Sequence, residues 1–333
     1  MQRPIPASAE PIPELEEFPS DRPTGWGGIV ERGSLGALVA IRWIFRVFGR
    51  RITIATLTPI VVYFFVTGRG TRRASMDYLQ TLWATPEGRA ALGAPPTWRH
   101  VFRHIHEFAE SMVDRMIVWG GDEDCIEVDY DGTEILLDLA REGRGGILLG
   151  SHVGSYDLLR SVAERTGVTV NILMFTPQTA RINAFFERLH PGLEVRLIEF
   201  EPGTLRAVFE MKAAVGRGEF VALMGDRLWE AERERSIAIP FLGRPARFPL
   251  GPFLLQAVLG CPMVLTGCFR TGAGRYRAVA LPFTSAGGIP RRGRRAYAEE
   301  LARRYVKVIE AWCVRTPYQW FNFFEFWSDE TGA

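Results

Sequence analysis

The amino-acid sequence predicts an α/β protein whose mixed, largely parallel central sheet is flanked by helices. From residue 126 onward, short apolar runs typical of buried strands alternate with longer stretches of helical periodicity. The strand-like runs lie at 126–130, 146–150, 168–175, 193–200, 219–225, 236–241, 261–269 and 275–283. The helical stretches lie near 133–142, 155–166, 178–190, 203–216, 250–259 and 294–315. This alternation predicts one α/β domain over residues 97–330.

The composition is that of a globular protein without a polyanionic partner. The net charge is only +2, which gives no indication of nucleic-acid binding. The basic residues are almost all arginines, which bind phosphate and carboxylate groups well. The four cysteines lack C-x-x-C spacing, so we expect reduced, buried thiols in a protein that faces the cytosol. No cleavable signal peptide is expected, because the amino-terminal segment lacks an apolar core.

The residues before the α/β pattern divide into two parts. Residues 1–28 are rich in proline and acidic residues, which predicts a disordered lead. The sequence of residues 29–96 predicts a helical membrane-associating region. Within it, Arg42, Arg46 and Arg50 follow one another at four-residue spacing beside a wide apolar face. This pattern favours a helix that lies in a membrane interface, although a helix packed on its own domain with solvated arginines has the same pattern.

The next run, residues 52–66, carries no charged side chain and contains Pro59. It is shorter than the ~20 residues that span a bilayer comfortably. The run therefore fits a re-entrant or interfacial element, a buried core helix or a short span. Arginines flank both ends, so the positive-inside rule does not orient it.

A helix is predicted to follow Pro95 and Pro96, with Thr97 as its cap. Its core-facing positions are Val101, Phe102, Ile105, Phe108, Met112 and Met116. His100 and His104 have the spacing of two metal ligands on one helical face, but no third ligand motif accompanies them. We therefore expect no metal site and interpret these histidines as part of a solvated polar face.

A histidine follows the strand-like run 146–150 in the segment GSHVGSYD. Open α/β sheets place their chemistry beyond the carboxyl ends of the strands, where His152 would lie. Asp157 would fall in the first turn of the next helix and could hold one imidazole nitrogen. The other nitrogen would then act as a general base toward a hydroxyl group. The alternative is that Asp157 is only an acidic residue favoured by the helix dipole.

Further candidate residues follow other strand-like runs. Asp226 and Arg227 directly follow the run at 219–225. Arg181 and Asn183 lie near the start of the helical stretch at 178–190. Arginines in such positions bind phosphate or stabilise an oxyanion, whereas ordinary salt bridges are the alternative. The sequence contains no nucleophile elbow, P-loop or dinucleotide motif. The absence of an obvious nucleophile favours direct transfer, in which the acceptor itself attacks. We expect no cofactor.

The order of these features resembles the bacterial lipid A late acyltransferase family, within the lysophospholipid and glycerolipid acyltransferase superfamily. The resemblance covers roughly residues 97–327. The matching features are His152-x4-Asp157, Arg181-x-Asn183, Gly-Asp226-Arg227, the segment FLGRPA at 241–246 and the pattern P-x-Q-W at 317–320. The chain departs from many members in having aspartate rather than glutamate at Asp157, and in lacking one clear membrane-spanning helix.

The resemblance implies an enzyme at the cytoplasmic face of the inner membrane. Such an enzyme moves a fatty acyl chain from an acyl carrier protein or CoA thioester to a lipid hydroxyl. By this analogy His152 is the catalytic base and Asp157 orients it. The substrate-binding residues are then Arg181, Asn183, Asp226 and Arg227. We expect an acidic carrier protein to dock on an arginine-rich face, either 291–295 or 42–50.

Several alternatives stay open. The acceptor is a lipid A precursor, an aryl-polyene lipid head or another polar lipid. An acyl-thioester hydrolase, in which water replaces the lipid hydroxyl, fits the same residues, and so does a non-catalytic lipid-binding protein. The aromatic end of the chain, residues 317–327, fits either a core plug or a membrane-facing surface.

Overall fold

The computed structural model describes residues 35–119, 122, 125–158, 167–175, 195–200, 205–228 and 230–327. Its helices are α1 (Leu35–Thr67), α2 (Arg69–Ala84), α3 (Pro86–Leu92), α4 (Trp98–Trp119), α5 (Glu134–Arg141), α6 (Arg206–Gly216), α7 (Gly251–Leu259) and α8 (Arg294–Arg315). Its strands are β1 (Glu127–Asp131), β2 (Gly146–Gly150), β3 (Val170–Phe175), β4 (Val195–Phe200), β5 (Phe220–Met224), β6 (Ser236–Phe241), β7 (Arg244–Pro249), β8 (Met263–Gly272) and β9 (Arg275–Thr284). The lead at 1–28, the helical stretch at 178–190 and most of the stretch at 155–166 lie outside the described residues.

Within the described part of the chain, seven strands form one sheet in the order β1-β9-β8-β2-β5-β3-β4. Its strand pairs are parallel except for β8 and β9, which are antiparallel. The predicted mixed, largely parallel sheet with flanking helices is therefore confirmed. β2 lies at the centre, and its Ile147 and Leu149 are fully buried. Because a strand that is covered on both faces has apolar residues at nearly every position, β2 is easily recognised in the sequence.

The hairpin of β6 and β7 contains a strand that the sequence pattern does not predict. Pro245 and Pro249 in β7 lack the N–H group that a ladder needs, and so argue against a strand. The structure accommodates them because this antiparallel sheet is only two strands wide. Leu242 and Gly243 connect the strands with φ values of 52° and 84°, as a tight two-residue hairpin turn requires.

Helix α1 is interrupted at Gly49, whose φ of 74° and ψ of 175° are not helical. The next residue, Arg50, points into the protein and pairs with Asp114 at 2.8 Å and with Glu110 at 3.0 Å, both on α4. The Asp114 side chain is fully buried and also accepts a hydrogen bond from Tyr276. This ion-pair network attaches α1 to α4, which in turn packs near the sheet.

The other two arginines of the predicted basic stripe are Arg42 and Arg46. Arg46 pairs with Asp122 at 3.2 Å, whereas the side chain of Arg42 lies outside the described residues. The Arg46 side chain is 54% exposed and stays largely solvated, whereas that of Arg50 is 16% exposed and its charge is bound inside the protein. Arg50 therefore does not belong to a solvated stripe, whereas the placement of this helix in a membrane interface stays a prediction.

The side of α1 away from α4 is apolar and exposed. Its exposed large side chains include Trp43, Val47, Phe48, Ile52, Ile60, Tyr63 and Val66. The stretch Trp43–Thr67 is the part of the described chain that is long and apolar enough to cross a membrane, and 17% of its 18-residue apolar window is buried. The run at 52–66 therefore belongs to a longer helix than its own length suggests.

The amino-terminal helices share their core with the sheet. Tyr78 and Leu82 of α2 and Val101 of α4 are buried in the same apolar cluster as Ile147 of β2. A continuous cluster of this kind is what a single folding unit contains. The helices after α1 in the region 29–96 therefore pack as part of the α/β unit.

We expect Arg50→Met to lower the free energy of unfolding by about 3–5 kcal/mol, because it leaves the buried Asp114 carboxylate without its cation. The matched control is Arg46→Met, whose half-exposed pair with Asp122 should contribute less than about 1 kcal/mol. Chemical denaturation of the full chain measures both values. Equal losses in the two variants would contradict a special role for the buried pair.

Candidate active site

His152 lies two residues beyond the carboxyl end of β2. The neighbouring strand β5 runs parallel to β2, and Gly150 pairs with Met224 at the ends of the two strands. His152 and Asp226 are therefore each the second residue after a paired position, which brings their loops together. Gly150 contributes to this approach, because a Cβ atom there would lie 2.9 Å from the sulfur of Met224.

Asp226 binds His152 through both of its carboxylate oxygens. Oδ1 lies 2.7 Å from the imidazole Nδ1, and Oδ2 accepts the His152 backbone N–H at 2.9 Å. A carboxylate only accepts hydrogen bonds, so Nδ1 carries the proton and the basic lone pair of the neutral ring is on Nε2. The Asp226 side chain is 1% exposed and that of His152 is 12% exposed.

The electrostatics of this pair keep Asp226 ionised. Burial on its own would raise the pKa of the carboxyl group, but the charge and hydrogen bonds of His152 and the nearby charge of Arg227 outweigh it and hold the pKa below its ordinary value. A negatively charged partner on Nδ1 stabilises an imidazolium ring. The arrangement therefore suits a histidine that takes up a proton during a reaction.

The carboxyl-terminal segment holds the histidine loop in place. The backbone N–H of Phe321 donates to the His152 carbonyl oxygen at 2.9 Å, and the N–H of Gly154 donates to the Gln319 carbonyl oxygen at 2.7 Å. Gly154 has a φ of 82°, and a Cβ atom there would lie 2.2 Å from the carbonyl oxygen of Cys268. This position therefore requires glycine.

Arg227 and Asn322 complete the hydrogen-bond network behind the pair. Arg227 Nε donates to Asn322 Oδ1 at 2.7 Å, and its Nη2 donates to the Phe321 carbonyl oxygen at 3.1 Å. Asn322 Nδ2 donates to Asp226 Oδ2 at 3.3 Å. Sequence reasoning missed Asn322, and the available signal was its place two residues after the P-x-Q-W pattern.

The structure thus brings three of the predicted site residues together, namely His152, Asp226 and Arg227. Asp157 lies in a short 3-10 turn at Tyr156–Leu158, but its side chain lies outside the described residues. Arg181 and Asn183 also lie outside them. Tyr156 contacts the His152 ring edge-on, at 5.5 Å between ring centroids, and forms one exposed wall of the site.

His104 connects two amino-terminal helices to the same site. Its Nδ1 accepts from the Ser75 hydroxyl at 2.9 Å, and its Nε2 donates to the Trp320 carbonyl oxygen at 2.9 Å. The side chain is fully buried, so the interpretation as a solvated polar residue is wrong for His104. Burial lowers its pKa from 6.5 to about 4, although the bond to Trp320 partly opposes this shift.

The comparison with protein families identifies the family of the chain. A family model described as bacterial lipid A biosynthesis acyltransferase matches residues 97–328, which include His152, Asp226 and Asn322. The chain belongs to the bacterial lipid A biosynthesis acyltransferase family. It is therefore an acyltransferase, and the resemblance stated from the sequence is confirmed. A comparison with curated proteins gives no match.

The described residues of the acyltransferase contain no group of three or more histidine, cysteine or acidic side chains arranged to hold a metal ion. Cys261, Cys268 and Cys313 are free and buried, as predicted, whereas Cys125 is exposed and contradicts that prediction. Burial raises the pKa of Cys268 to about 12 and that of Cys261 to about 11. Because the thiolate is the nucleophilic form, these two thiols are poor nucleophiles.

The arginine-rich segment 291–295 of the acyltransferase follows β9 and lies near the edge of the sheet at which β8 begins. β9 ends at Thr284, which pairs with Met263 at the start of β8, and β8 runs parallel to β2. The 22 residues of α8, about 33 Å long, then return the chain to the edge that carries His152. The segment 291–295 and His152 therefore lie at opposite edges of the sheet, and the docking face of a carrier stays a prediction.

We expect the stability of the acyltransferase to fall as the pH drops from 6.5 to about 4. In this interval the unfolded chain protonates the ordinary imidazole of residue 104, whereas the folded chain keeps His104 neutral, so protons favour unfolding. The contribution of this histidine is about 3 kcal/mol over the interval.

The measurement is the free energy of unfolding at pH 7 and at pH 5 for wild type and for His104→Gln. The variant should be less stable at pH 7 but should lose less stability on acidification. His100→Gln, which removes a histidine one turn earlier on α4, is the control. If both variants reduced the loss of stability between pH 7 and pH 5 by the same amount, the assignment to His104 would be contradicted.

Proposed function

We propose that this enzyme transfers a fatty acyl group from an acyl carrier protein or CoA thioester to a hydroxyl group of a lipid such as a lipid A precursor. The observation that carries the proposal is His152 at the carboxyl edge of the sheet, with Nδ1 on a buried carboxylate, in a member of an acyltransferase family. Family membership by itself supports acyl transfer to a lipid, and the donor and acceptor are the finer part of the proposal.

In the proposed mechanism His152 is the general base. Its Nε2 takes the proton of the acceptor hydroxyl while the oxygen attacks the thioester carbonyl carbon. The tetrahedral intermediate collapses as the C–S bond breaks, and the thiolate takes the proton back from the imidazolium ring. The products are the acylated lipid and the free thiol of the donor. No covalent enzyme intermediate is needed, because the acceptor itself is the nucleophile.

We assign the orienting role on Nδ1 to Asp226, because the hydrogen bond between them is direct. A fixed carboxylate selects the tautomer that leaves Nε2 unprotonated and stabilises the imidazolium ring as it forms. Asp157 stays a second candidate for contact with the ring or the substrate. Arg181 and Asn183 stay candidate substrate-binding residues. Arg227 supports the carboxylate through its charge and through Asn322.

We propose that the enzyme lies at the cytoplasmic face of the inner membrane and is anchored through α1. The exposed apolar side chains of this helix would enter the lipid, while Arg50 binds it to α4 on the opposite side. A lipid acceptor would then reach His152 from the membrane. The donor carrier, if acidic, would approach the same edge of the sheet rather than 291–295.

The test is transfer of a labelled acyl chain from its carrier or CoA thioester to extracted membrane lipid. We expect His152→Ala and Asp226→Asn each to lower the rate of transfer by about 10²–10⁴-fold, which is the usual contribution of general acid–base catalysis. Asp129→Asn is the matched control, because Asp129 is exposed on β1 and should leave the rate unchanged.

The products decide between the proposal and its rivals. Labelled free fatty acid without labelled lipid would show a hydrolase and overturn the proposed transfer. An unchanged rate in His152→Ala would remove the histidine from the chemistry. Asp157→Asn in the same assay measures whether that carboxylate adds to the effect of Asp226. Lipid mass spectrometry of a deletion strain then identifies the acceptor.

A further inference from the structure

We propose that Asn322 is a positioning residue that fixes the orientation of the Asp226 carboxylate and separates it from Arg227. The inference rests on the proposed function of His152 and assigns a part in it to the carboxyl-terminal segment. Asn322 contacts no reacting atom in this scheme. It would act through Asp226, which contacts the imidazole ring directly.

The partners of Asn322 permit one orientation of its amide group. Arginine only donates hydrogen bonds, so the Asn322 carbonyl oxygen must face Arg227 Nε, at 2.7 Å. An ionised carboxylate only accepts them, so the amide nitrogen must face Asp226 Oδ2, at 3.3 Å. The side chain is 1% exposed, which makes any reversed orientation costly because it would leave buried polar atoms unpaired.

The hydrogen bonds to Asp226 show what this orientation achieves. Oδ2 accepts from Asn322 Nδ2 and from the His152 backbone N–H, while Oδ1 lies 2.7 Å from the imidazole Nδ1. Two donors on Oδ2 fix the plane of the carboxylate and thereby the direction of Oδ1. Asn322 combines two contacts that no single backbone group makes. Its amide nitrogen is the second donor to Oδ2, and its carbonyl oxygen accepts from Arg227 Nε.

The backbone near Asn322 is held by bonds that do not involve its side chain. Phe321 N–H donates to the His152 carbonyl oxygen, and Trp320 forms a β-bridge with Val153. The Trp320 carbonyl oxygen also accepts from His104. Changing the amide of Asn322 should therefore alter the network at Asp226 while the segment keeps its place.

The first measurement is the steady-state kinetics of Asn322→Ala. We expect kcat to fall at least tenfold with an unchanged KM for the acyl donor, because the variant loosens Asp226 without touching substrate. The control is Asn171→Ala, which removes a buried asparagine amide near the amino end of β3 that donates to Glu219 and to the Phe220 carbonyl oxygen. This control should lower the melting temperature but leave kcat within about twofold.

The second measurement does not depend on activity. It follows the His152 ring by NMR in the full chain labelled on histidine, with His152→Gln to assign the signal. Asn322→Asp places a further negative charge beside Asp226, which favours the imidazolium form. The ring should therefore titrate at higher pH in Asn322→Asp than in wild type, and the acid limb of kcat/KM should move in the same direction.

These outcomes separate the two proposals. If wild type transfers acyl groups in a His152-dependent way but Asn322→Ala keeps its kcat, the positioning role is overturned and the function stands. If wild type shows no transfer, the function falls, and the titration in Asn322→Asp still decides whether residue 322 controls the ring. An unchanged titration in that variant overturns the inference. If either variant fails to fold, the other supplies the deciding measurement.

Discussion

The hydrogen-bonded pair of His152 and Asp226 is the constraint on which the site depends. Burying a carboxylate is costly unless donors and positive charge compensate it, and here two N–H groups of His152, the amide of Asn322 and the charge of Arg227 do so. The adjacency of β2 and β5 provides the geometry, because Gly150 and Met224 end their strands in register. A slip of that register would separate the two side chains.

The carboxyl-terminal aromatic segment is a core plug, which settles the alternative left open by its composition. Trp320 and Trp327 are 1% and 4% exposed and pack around Phe241 of the hairpin. This packing places the backbone of Phe321 against the histidine loop and the side chain of Asn322 behind Asp226. The apolar core thus positions polar groups at the site, and the same residues serve stability and chemistry.

Periodicity predicted most of the sheet and the placement of His152, since both depend on local pattern. It did not predict that Asp226 contacts the ring, because that contact depends on which strand lies beside β2. The burial of His104 was missed for a related reason: only tertiary packing brings Ser75 and the Trp320 carbonyl oxygen to its two nitrogens. The inward direction of Arg50 likewise depends on Asp114, 64 residues further along the chain.

The ion pairs of Arg50 with Glu110 and Asp114 connect α1 to the site. Glu110 binds both Arg50 and Arg270, and the backbone of Arg270 exchanges two hydrogen bonds with the side chain of Gln319. The Gln319 carbonyl oxygen in turn binds Gly154, two residues after His152. Arg50 commits one side of α1 to these contacts, and the exposed apolar side chains lie on the other side, which is the side that enters lipid in the proposed anchoring. The orientation of α1 in a membrane would therefore set the orientation of His152 toward the acceptor.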